Sequence, residues 1–409
     1  MSLTAAEQYL VELINRARLD PGAEAKRQGE ALNKDLAAGT ISGGSKEVLA
    51  TNSKLSSAAH KHSVWMLDTD TFSHTGKGGS SAGDRMDDAG YAWRSYRENL
   101  DLKGSTGSIN MNAMVTKHHE SLYDSEGHRV NIFGENVNEI GIGQAQGRFT
   151  QGGTTFNTSV VTEKFANKGD AYVTGVAYTD KNKNGFYNIG EGKGGIKISA
   201  DGSSDKTAGS GGYNVKVKGK SADVVVKDGA KTIGKFEIML NGENAKLDVL
   251  KVGKGYKFQS SASAEIKTKG MDVELLGLDN LKLKAKAGAN KLVGNNGNNK
   301  LDGGGGRDFL DGGKGNDFLD GGKGNDRLKG GAGKDTFVFE KGKDTILDYN
   351  KSQDKIIVDG PSASGLSKAE LKKIAKVQNK MVVLDFGKDE LKIKGTTDIG
   401  AVLDDLSFA

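Results

Sequence analysis

Between residues 294 and 338 the chain repeats itself every nine residues: GNNGNNKLD (294–302), GGGGRDFLD (303–311), GGKGNDFLD (312–320), GGKGNDRLK (321–329) and GGAGKDTFV (330–338). An apolar side chain recurs at Leu301, Leu310, Leu319, Leu328 and Phe337, and the sixth position reads Asn299, Asp308, Asp317, Asp326 and Asp335. The upstream segment AKAGANKLV (285–293) keeps Leu292 in phase but lacks the acid. Glycine reaches backbone angles closed to other residues, so a glycine-rich turn followed by a three-residue strand makes half a coil. Stacked coils put the apolar residues in an inward ladder and stack carboxylates of adjacent turns on the outside. Such carboxylates repel unless a hard cation lies between them, and Ca²⁺ accepts carboxylate and carbonyl oxygens in flexible geometry. A flexible linker would need no such phase, and with 60 Gly but only 2 Pro the chain is not collagen-like.

These nonapeptides resemble the RTX, or hemolysin-type, calcium-binding repeats. The resemblance implies a parallel β-roll that binds several Ca²⁺ ions and folds on them, so that low cytosolic and high extracellular calcium act as a compartment switch. It also implies a secreted bacterial protein whose partner in export is the type I secretion machinery, which reads a C-terminal signal. DTFVFEKGKDTILDYNKSQDKIIVDG (335–360) looks like the family's C-terminal cap, and LDDLSFA (403–409) pairs acids with apolar residues as such signals do. Lys314, Lys323 and Lys334 in the turns depart from the acidic composition usual for the family.

A chain of 409 residues is expected to form two to four domains. Its net charge of +5 comes with scattered lysines and no basic–aromatic segment, so no nucleic-acid partner is expected. With no Cys, disulfides and thiolate metal sites are excluded. The start MSLTAAEQYL lacks the pattern of a signal peptide, and no apolar run reaches transmembrane length.

DKNKNGFYNIGE (180–191) places Asp180, Asn182, Asn184, Gly185, Phe186 and Glu191 at positions 1, 3, 5, 6, 7 and 12 of an EF-hand-type loop. The Phe186 carbonyl and the other side-chain oxygens are the candidate Ca²⁺ ligands. The flanks AYVTGVAYT (171–179), GGIKISADG (194–202) and YNVKVKG (213–219) read as strands, not helices. The loop is similar to the calcium loops of bacterial surface-protein B-type and carboxypeptidase-regulatory-like modules. Two carboxylates predict weak, extracellular-type affinity. The alternation in LKLKAKA (281–287) predicts strands leading into the roll as degenerate coils.

All six His residues lie between His60 and His128, so acid–base or transition-metal chemistry would belong to residues 1–167. Thr4 and Glu7 predict a capping box, Leu10, Leu13, Ile14 and Ala17 one apolar helix face, and Pro21 with Gly22 its end. Further helices are predicted over 55–67 and about 111–124, and strands near 139–145 and 158–166. His60, His62 and His118 are expected to be solvated helix residues. Trp65 and Trp93 are expected in core or cleft-wall packing.

LVELINRARLDPGAEAKRQG (10–29), AAHKHSVWMLDTDTFSHTG (58–76), ENL (98–100), SEGHRVNIF (125–133) and EIGIG (139–143) occur in that order. The set resembles the CAP superfamily of cysteine-rich secretory, antigen 5 and pathogenesis-related proteins. The resemblance implies an α-β-α sandwich with a central cleft bearing two His and one or two acids, which holds a divalent metal in several members. Carried over by motif, these are His74, Glu98 and His128, with Glu120, or alternatively His119, at the helical position. Two imidazoles and a carboxylate with an open position could hold Zn²⁺ and a water.

The expected architecture is multidomain: a CAP-like α-β-α sandwich (1–167), a small β-sandwich module (168–230), a β-rich lead-in (231–284), a parallel β-roll of RTX repeats (285–345), and a cap with export signal (346–409). No nucleophile–base motif such as G-x-S-x-G or H-E-x-x-H occurs. The favoured reading is therefore a secreted binding protein whose CAP domain recognises an extracellular lipid, glycan or protein. A metal-dependent hydrolase using His74, Glu98 and His128, with Glu98 or Glu120 as general base, is the alternative.

Overall fold

Thr4 opens the first helix, α1 (Ala5–Leu19): its hydroxyl accepts the Glu7 N–H at 3.2 Å while the Glu7 carboxylate accepts the Thr4 N–H at 2.9 Å. Pro21 and Gly22 do more than stop it. Asp20 closes α1 and caps α2 (Pro21–Gln28), with Pro21 in the first turn, where a missing N–H costs nothing. The expected helix end is thus also a helix start. The structure, a computed structural model, describes residues 2–360 and 366–408. It divides into two compact units, residues 1–220 with 227–231 and 240–252, and residues 221–226, 232–239 and 253–409.

The first unit continues through β1 (Ala50–Thr51), α3 (Ser53–Asp68), α4 (Ala82–Asp88), β2 (Ser95–Ser105), α5 (Met111–Asp124), α6 (Glu126–Ile132), β3 (Glu139–Gln151) and β4 (Thr154–Asn167). The sheet order is β1-β3-β4-β2, with β1 parallel to β3 and the other pairs antiparallel. Strand alternation sends Ile140, Ile142, Val161 and Phe165 to one face, against Leu10, Ile14, Val115 and Leu122 of α1 and α5. Leu100, Ala145 and Val160 meet Met66 and Leu67 of α3 on the other. Helices cover both faces. The α3 backbone lies directly on β3, where a Cβ at Gly143 would come within 2.1 Å of the His60 nitrogen and one at Gly141 within 2.2 Å of the Leu55 carbonyl carbon.

The same unit carries β5 (Ala171–Thr179), the hairpin of β6 (Ile196–Ala200) and β7 (Ser203–Lys206), and β8 (Gly212–Val217). β5 runs antiparallel to β8 and parallel to the strand Ala245–Val252. Buried polar contacts join this β-layer to α1 and the sheet: Lys246 pairs with Glu12 at 2.8 Å, and the Asn244 amide donates to Val48 O at 2.9 Å and Asn138 O at 2.6 Å.

The second unit is a parallel β-solenoid. Its ladder begins at Lys257↔Asp272, before the repeats, and through them each pairing spans eighteen residues, as in Leu301↔Leu319 and Leu310↔Leu328. Two nonapeptides therefore make one coil. Leu283, Leu301, Leu319, Phe337 and Ile356 form one inward column, and Val273, Leu292, Leu310, Leu328 and Ile346 the other, all buried. The C-terminal segment Leu406–Phe408 adds a parallel strand beside Lys355–Val358. Residues 361–365 of the expected cap, and Ala409 of the expected export signal, lie outside the described residues.

The close approach at Gly143 generates a test. Gly143→Val should prevent α3 from seating and cost several kcal/mol, about 3 or more. Gly127→Ala, in α6 with open space around it, should be neutral or stabilising by up to about 1 kcal/mol. Urea unfolding of both variants in calcium checks the contrast.

Candidate functional site

In the roll, the acids at the sixth repeat position do not stack on the outside as expected: they form two buried ladders, because each one bonds to the backbone of the previous coil. The Oδ1 atoms of Asp308, Asp326 and Asp344 accept the backbone N–H of Asn290, Asp308 and Asp326, eighteen residues earlier, at 2.7–2.8 Å. Those of Asp317, Asp335 and Asp354 accept from Asn299, Asp317 and Asp335 at 2.7–3.0 Å. One carboxylate oxygen thus completes the backbone of the previous coil. The other, Oδ2, is buried and without a hydrogen-bond partner in Asp308, Asp317, Asp326 and Asp344.

The glycines that open each repeat leave the space this oxygen faces. A Cβ at Gly303 would sit 2.8 Å from Asp308 Oδ2 and 2.9 Å from Gly321 O; one at Gly312 would sit 2.4 Å from Asp317 Oδ2 and 2.6 Å from Gly330 O. Carboxylate and carbonyl oxygens converging on a glycine-made gap are a hard-cation donor set, so these residues fit Ca²⁺. Without a cation the arrangement is costly: burial, with neighbouring carboxylates, pushes Asp317 and Asp326 up to about 7 and Asp344 to about 8. Asp308 and Asp335 are also raised by burial, Asp335 to about 6.

Asp344 and Asp354 extend the ladders beyond the residues read from the repeats. Asp344 keeps the nine-residue phase after Asp335, whereas Asp354 is displaced from it by one residue. A third ladder, of asparagines, lies at the repeat's fifth position: the Oδ1 atoms of Asn280, Asn298 and Asn316 accept the N–H of Asn298, Asn316 and Lys334 at 2.7–2.8 Å.

In the loop 180–191, Asp180 accepts the N–H groups of Asn184 (3.1 Å) and Gly185 (3.0 Å), Asn182 accepts Asn184 N–H, and Asn184 accepts Phe186 N–H. Glu191, buried, accepts Lys181 N–H at 2.9 Å and Asn188 N–H at 2.8 Å. The Phe186 carbonyl accepts from the Asn188 amide. The EF-hand-like turn is formed, with left-handed Lys183 and Gly185. Phe186 and Tyr187 rest on Tyr9 of α1, with Arg16 4.8 Å above the Phe186 ring.

In the N-terminal domain, Glu98 and Asn99 are consecutive on β2 and so point to opposite faces. Glu98, buried, meets His74 Nδ1 at 3.0 Å, Lys164 Nζ at 2.6 Å and Arg85 Nη2 at 2.8 and 2.9 Å. Burial alone would raise its carboxyl, but the His74 hydrogen bond and the Lys164 and Arg85 charges outweigh it and hold Glu98 down to about 2. Asn99 donates to Glu163 at 3.0 Å and to His128 O at 3.2 Å, and accepts from Asn131 at 2.9 Å. It stitches ENL to GHRVN. His128 is lowered by burial and by nearby His74.

Two cations already neutralise Glu98, and a divalent ion there would be repelled. Among the described residues no three His, Asp or Glu side chains converge as a metal group. The expectation of Zn²⁺ held by His74, His128 and Glu98 does not fit this site. Glu120 is exposed on α5, and His119 faces Glu24 at 3.2 Å. His62 and His118 are fully buried rather than solvated. His62 donates from Nε2 to Ser73 O at 2.9 Å and stacks on Trp65, and burial lowers it to about 4. His118 bridges Asp101 (2.6 Å) and Ser159 (2.8 Å), a nucleophile-like series whose Ser159 has no exposure.

A cleft of about 550 Å³ adjoins His128, lined by Phe72, Leu100, Leu102 and Phe149 with Asp101 and Ser121. Phe72 is 47% exposed. Arg18 and Arg129, unread in the sequence, are buried and bind backbone carbonyls: Arg18 those of Glu47, Ile132 and Gly134, Arg129 those of Tyr123 and Asp124. Their position within motifs was the available signal.

The sequence model of the cysteine-rich secretory protein (CAP) family matches residues 11–162. That of the RTX calcium-binding nonapeptide repeat matches 285–319 and 311–346. No curated protein matches the chain. Among solved structures, an extracellular protein containing an SCP domain from Bacillus anthracis is 19% identical over 40% of this chain and 40% of its own, with a TM-score of 0.27. An outer surface protein from Borrelia burgdorferi is 15% identical over 41% of this chain and 97% of its own, TM-score 0.26. An extracellular lipase from Serratia marcescens is 20% identical over 47% and 30%, TM-score 0.24. The chain thus spans less than half the length of the first and third. None of the TM-scores reaches 0.5, so the fold assignment rests on the chain's own elements and the family models.

Glu98 yields a pH prediction. Its folded value of about 2 lies below the ordinary 4.5, so its contribution is fully present above pH 4.5 and is lost as pH falls through 2. The difference corresponds to roughly 3 kcal/mol. Glu98→Gln should lower stability at pH 7 and flatten this part of the acid limb, read as urea midpoints of variant and wild type across that range.

Proposed function

From a chain that carries a CAP domain of the cysteine-rich secretory protein family and RTX calcium-binding repeats, we propose an extracellular binding protein that folds its roll on calcium after type I export. Calcium binding follows from the repeats; the compartment, the route and the cleft ligand are the proposal. The observation that carries it is the set of buried Oδ2 atoms without partners in Asp308, Asp317, Asp326 and Asp344. Ca²⁺ supplies the counter-charge those oxygens lack, so binding energy becomes folding energy. In a cell interior poor in calcium the roll stays open and fits a narrow export channel; outside it closes. The loop at Asp180, Asn182, Asn184, Phe186 and Glu191 is a further, weaker calcium site in this reading.

The ligand site of the CAP domain is the cleft beside His128. Its apolar wall of Phe72, Leu100, Leu102 and Phe149 suits a hydrophobic group, and Asp101, Ser121 and His128 suit a polar end. Recognition is favoured over hydrolysis because Glu98 is held as an anion between Lys164 and Arg85, which leaves it a weak general base.

Two measurements test this reading. Circular dichroism of the metal-stripped chain should gain β-signal as Ca²⁺ rises to millimolar levels, and Asp317→Asn/Asp326→Asn should shift the midpoint upward by roughly tenfold or more. A spectrum indifferent to calcium and EDTA removes the switch. For the cleft, a fluorescent fatty-acid probe should bind, and Phe72→Ala with His128→Ala should weaken it. Turnover of a casein or lipid-ester panel that disappears in His74→Ala would replace recognition by hydrolysis.

A further inference from the structure

The roll sorts its charges by sign. Between Lys282 and Lys355 the chain has fifteen Lys and Arg against eleven Asp and Glu, nearly balanced in sequence. In the fold, all of these cations except half-buried Lys329 are exposed, whereas none of the acids is. Asp308, Asp317, Asp326, Asp335, Asp344 and Asp354 are buried. The reason is the repeat itself: its sixth position points inward to the ladders, and the turn positions that carry lysine point outward.

One edge carries four of the outward cations, Arg307, Lys323, Lys341 and Lys343. Gly305, Lys323 and Lys341 share a column in consecutive coils. Arg307 and Lys343 stand immediately before the ladder residues Asp308 and Asp344 on the same edge, with Asn325 between them accepting the Lys343 N–H at 2.8 Å. The roll's own ion pairs engage Lys284, Lys286 and Lys329. Arg307, Lys323 and Lys341 form none among the described residues, while Asp385 lies within electrostatic reach of Lys343. Coils recur about every 4.8 Å, so this edge presents a cation in each of three consecutive coils, staggered between two adjacent columns.

We propose that this edge, centred on Arg307, Lys323 and Lys341, binds a linear anionic polysaccharide laid along the roll axis. The complement of cations that recur coil by coil along one edge is an extended chain with regularly repeated negative charge. In its first two coils the edge consists of glycine, asparagine, lysine and arginine, and in the third Glu340 precedes Lys341 while Asp389 accepts the Gly342 N–H at 2.9 Å, so it offers no apolar group for insertion into a membrane. It offers no stacking platform for bases either, since Phe309 and Phe318 lie on the sheet faces beneath Arg327, Lys291 and Lys300. Its step also differs from the rise of about 3.4 Å per nucleotide along a duplex strand. The closely spaced hydroxyls of a sugar chain suit the Asn and backbone groups between the cations.

The test uses the full chain in millimolar calcium, with chondroitin sulfate as probe and dextran as neutral control, by calorimetry and affinity electrophoresis. Chondroitin sulfate should bind, weaken steeply as salt rises toward about 0.5 M, and bind roughly tenfold less tightly to Arg307→Gln/Lys323→Gln/Lys341→Gln. The triple variant alters exposed side chains only, and an unchanged calcium-induced dichroism spectrum verifies its fold. Lys314→Gln/Lys334→Gln, on the opposite edge, should change affinity little. Absence of binding, equal binding of dextran, or equal losses in both variants would overturn the proposal. So would tighter binding of phosphatidylglycerol vesicles or duplex DNA through the same three residues.

Discussion

The carboxylates at the sixth repeat position are the constraint on which the second unit depends. Each is asked to do two things at once. Its Oδ1 satisfies a backbone N–H of the previous coil, which the ladder cannot spare, and in Asp308, Asp317, Asp326 and Asp344 the Oδ2 is then carried into the interior with no donor to meet it. An uncharged side chain would remove the problem and the function together. Asn290 and Asn299 stand at the upper ends of the two ladders, where the backbone N–H donates to the next Asp and the side chain adds no charge. The leucine columns cannot close the coil alone, because closing it also buries the acids; calcium is what makes the two burials compatible.

The N-terminal domain solves a related problem differently. Glu98 is buried too, but its counter-charges are covalent parts of the chain: Lys164 directly across the strand pair, and Arg85 from α4. The result is a carboxylate held far below its ordinary range instead of far above it. One protein thus contains both outcomes of burying an acid, and the difference lies in whether a cation comes from the chain or must be taken from solution. This also accounts for the mismatch between a motif that resembles a metal cleft and a site that would repel a metal.

Much of the architecture was legible in the sequence because it is periodic. The nine-residue phase identifies the inward leucines and the calcium-facing acids from Asp308 to Asp335, and Asp344 was readable by extending the same count. Asp354 was not, since one inserted residue breaks the phase while the coil still accommodates it. The capping box at Thr4 and Glu7 and the helical periods of α1, α3 and α5 were local signals of the same kind. His62 and His118 were misread because a polar side chain on an amphipathic helix reads as solvated until its neighbours are known; one stacks under Trp65, the other bridges two strands.

The sequence by itself determined which residues repeat, which must turn, and therefore that the C-terminal half coils around stacked leucines and acids. Those properties follow from steric and periodic rules that act within a few residues. Only the tertiary structure decided which side chains share a charge. Lys164 reaches Glu98 across sixty-six residues of sequence, and His119 is drawn to Glu24 rather than to the cleft. The same is true of the roll's surface: a nearly neutral stretch becomes a cationic edge because folding turns its acids inward, a segregation that composition cannot express.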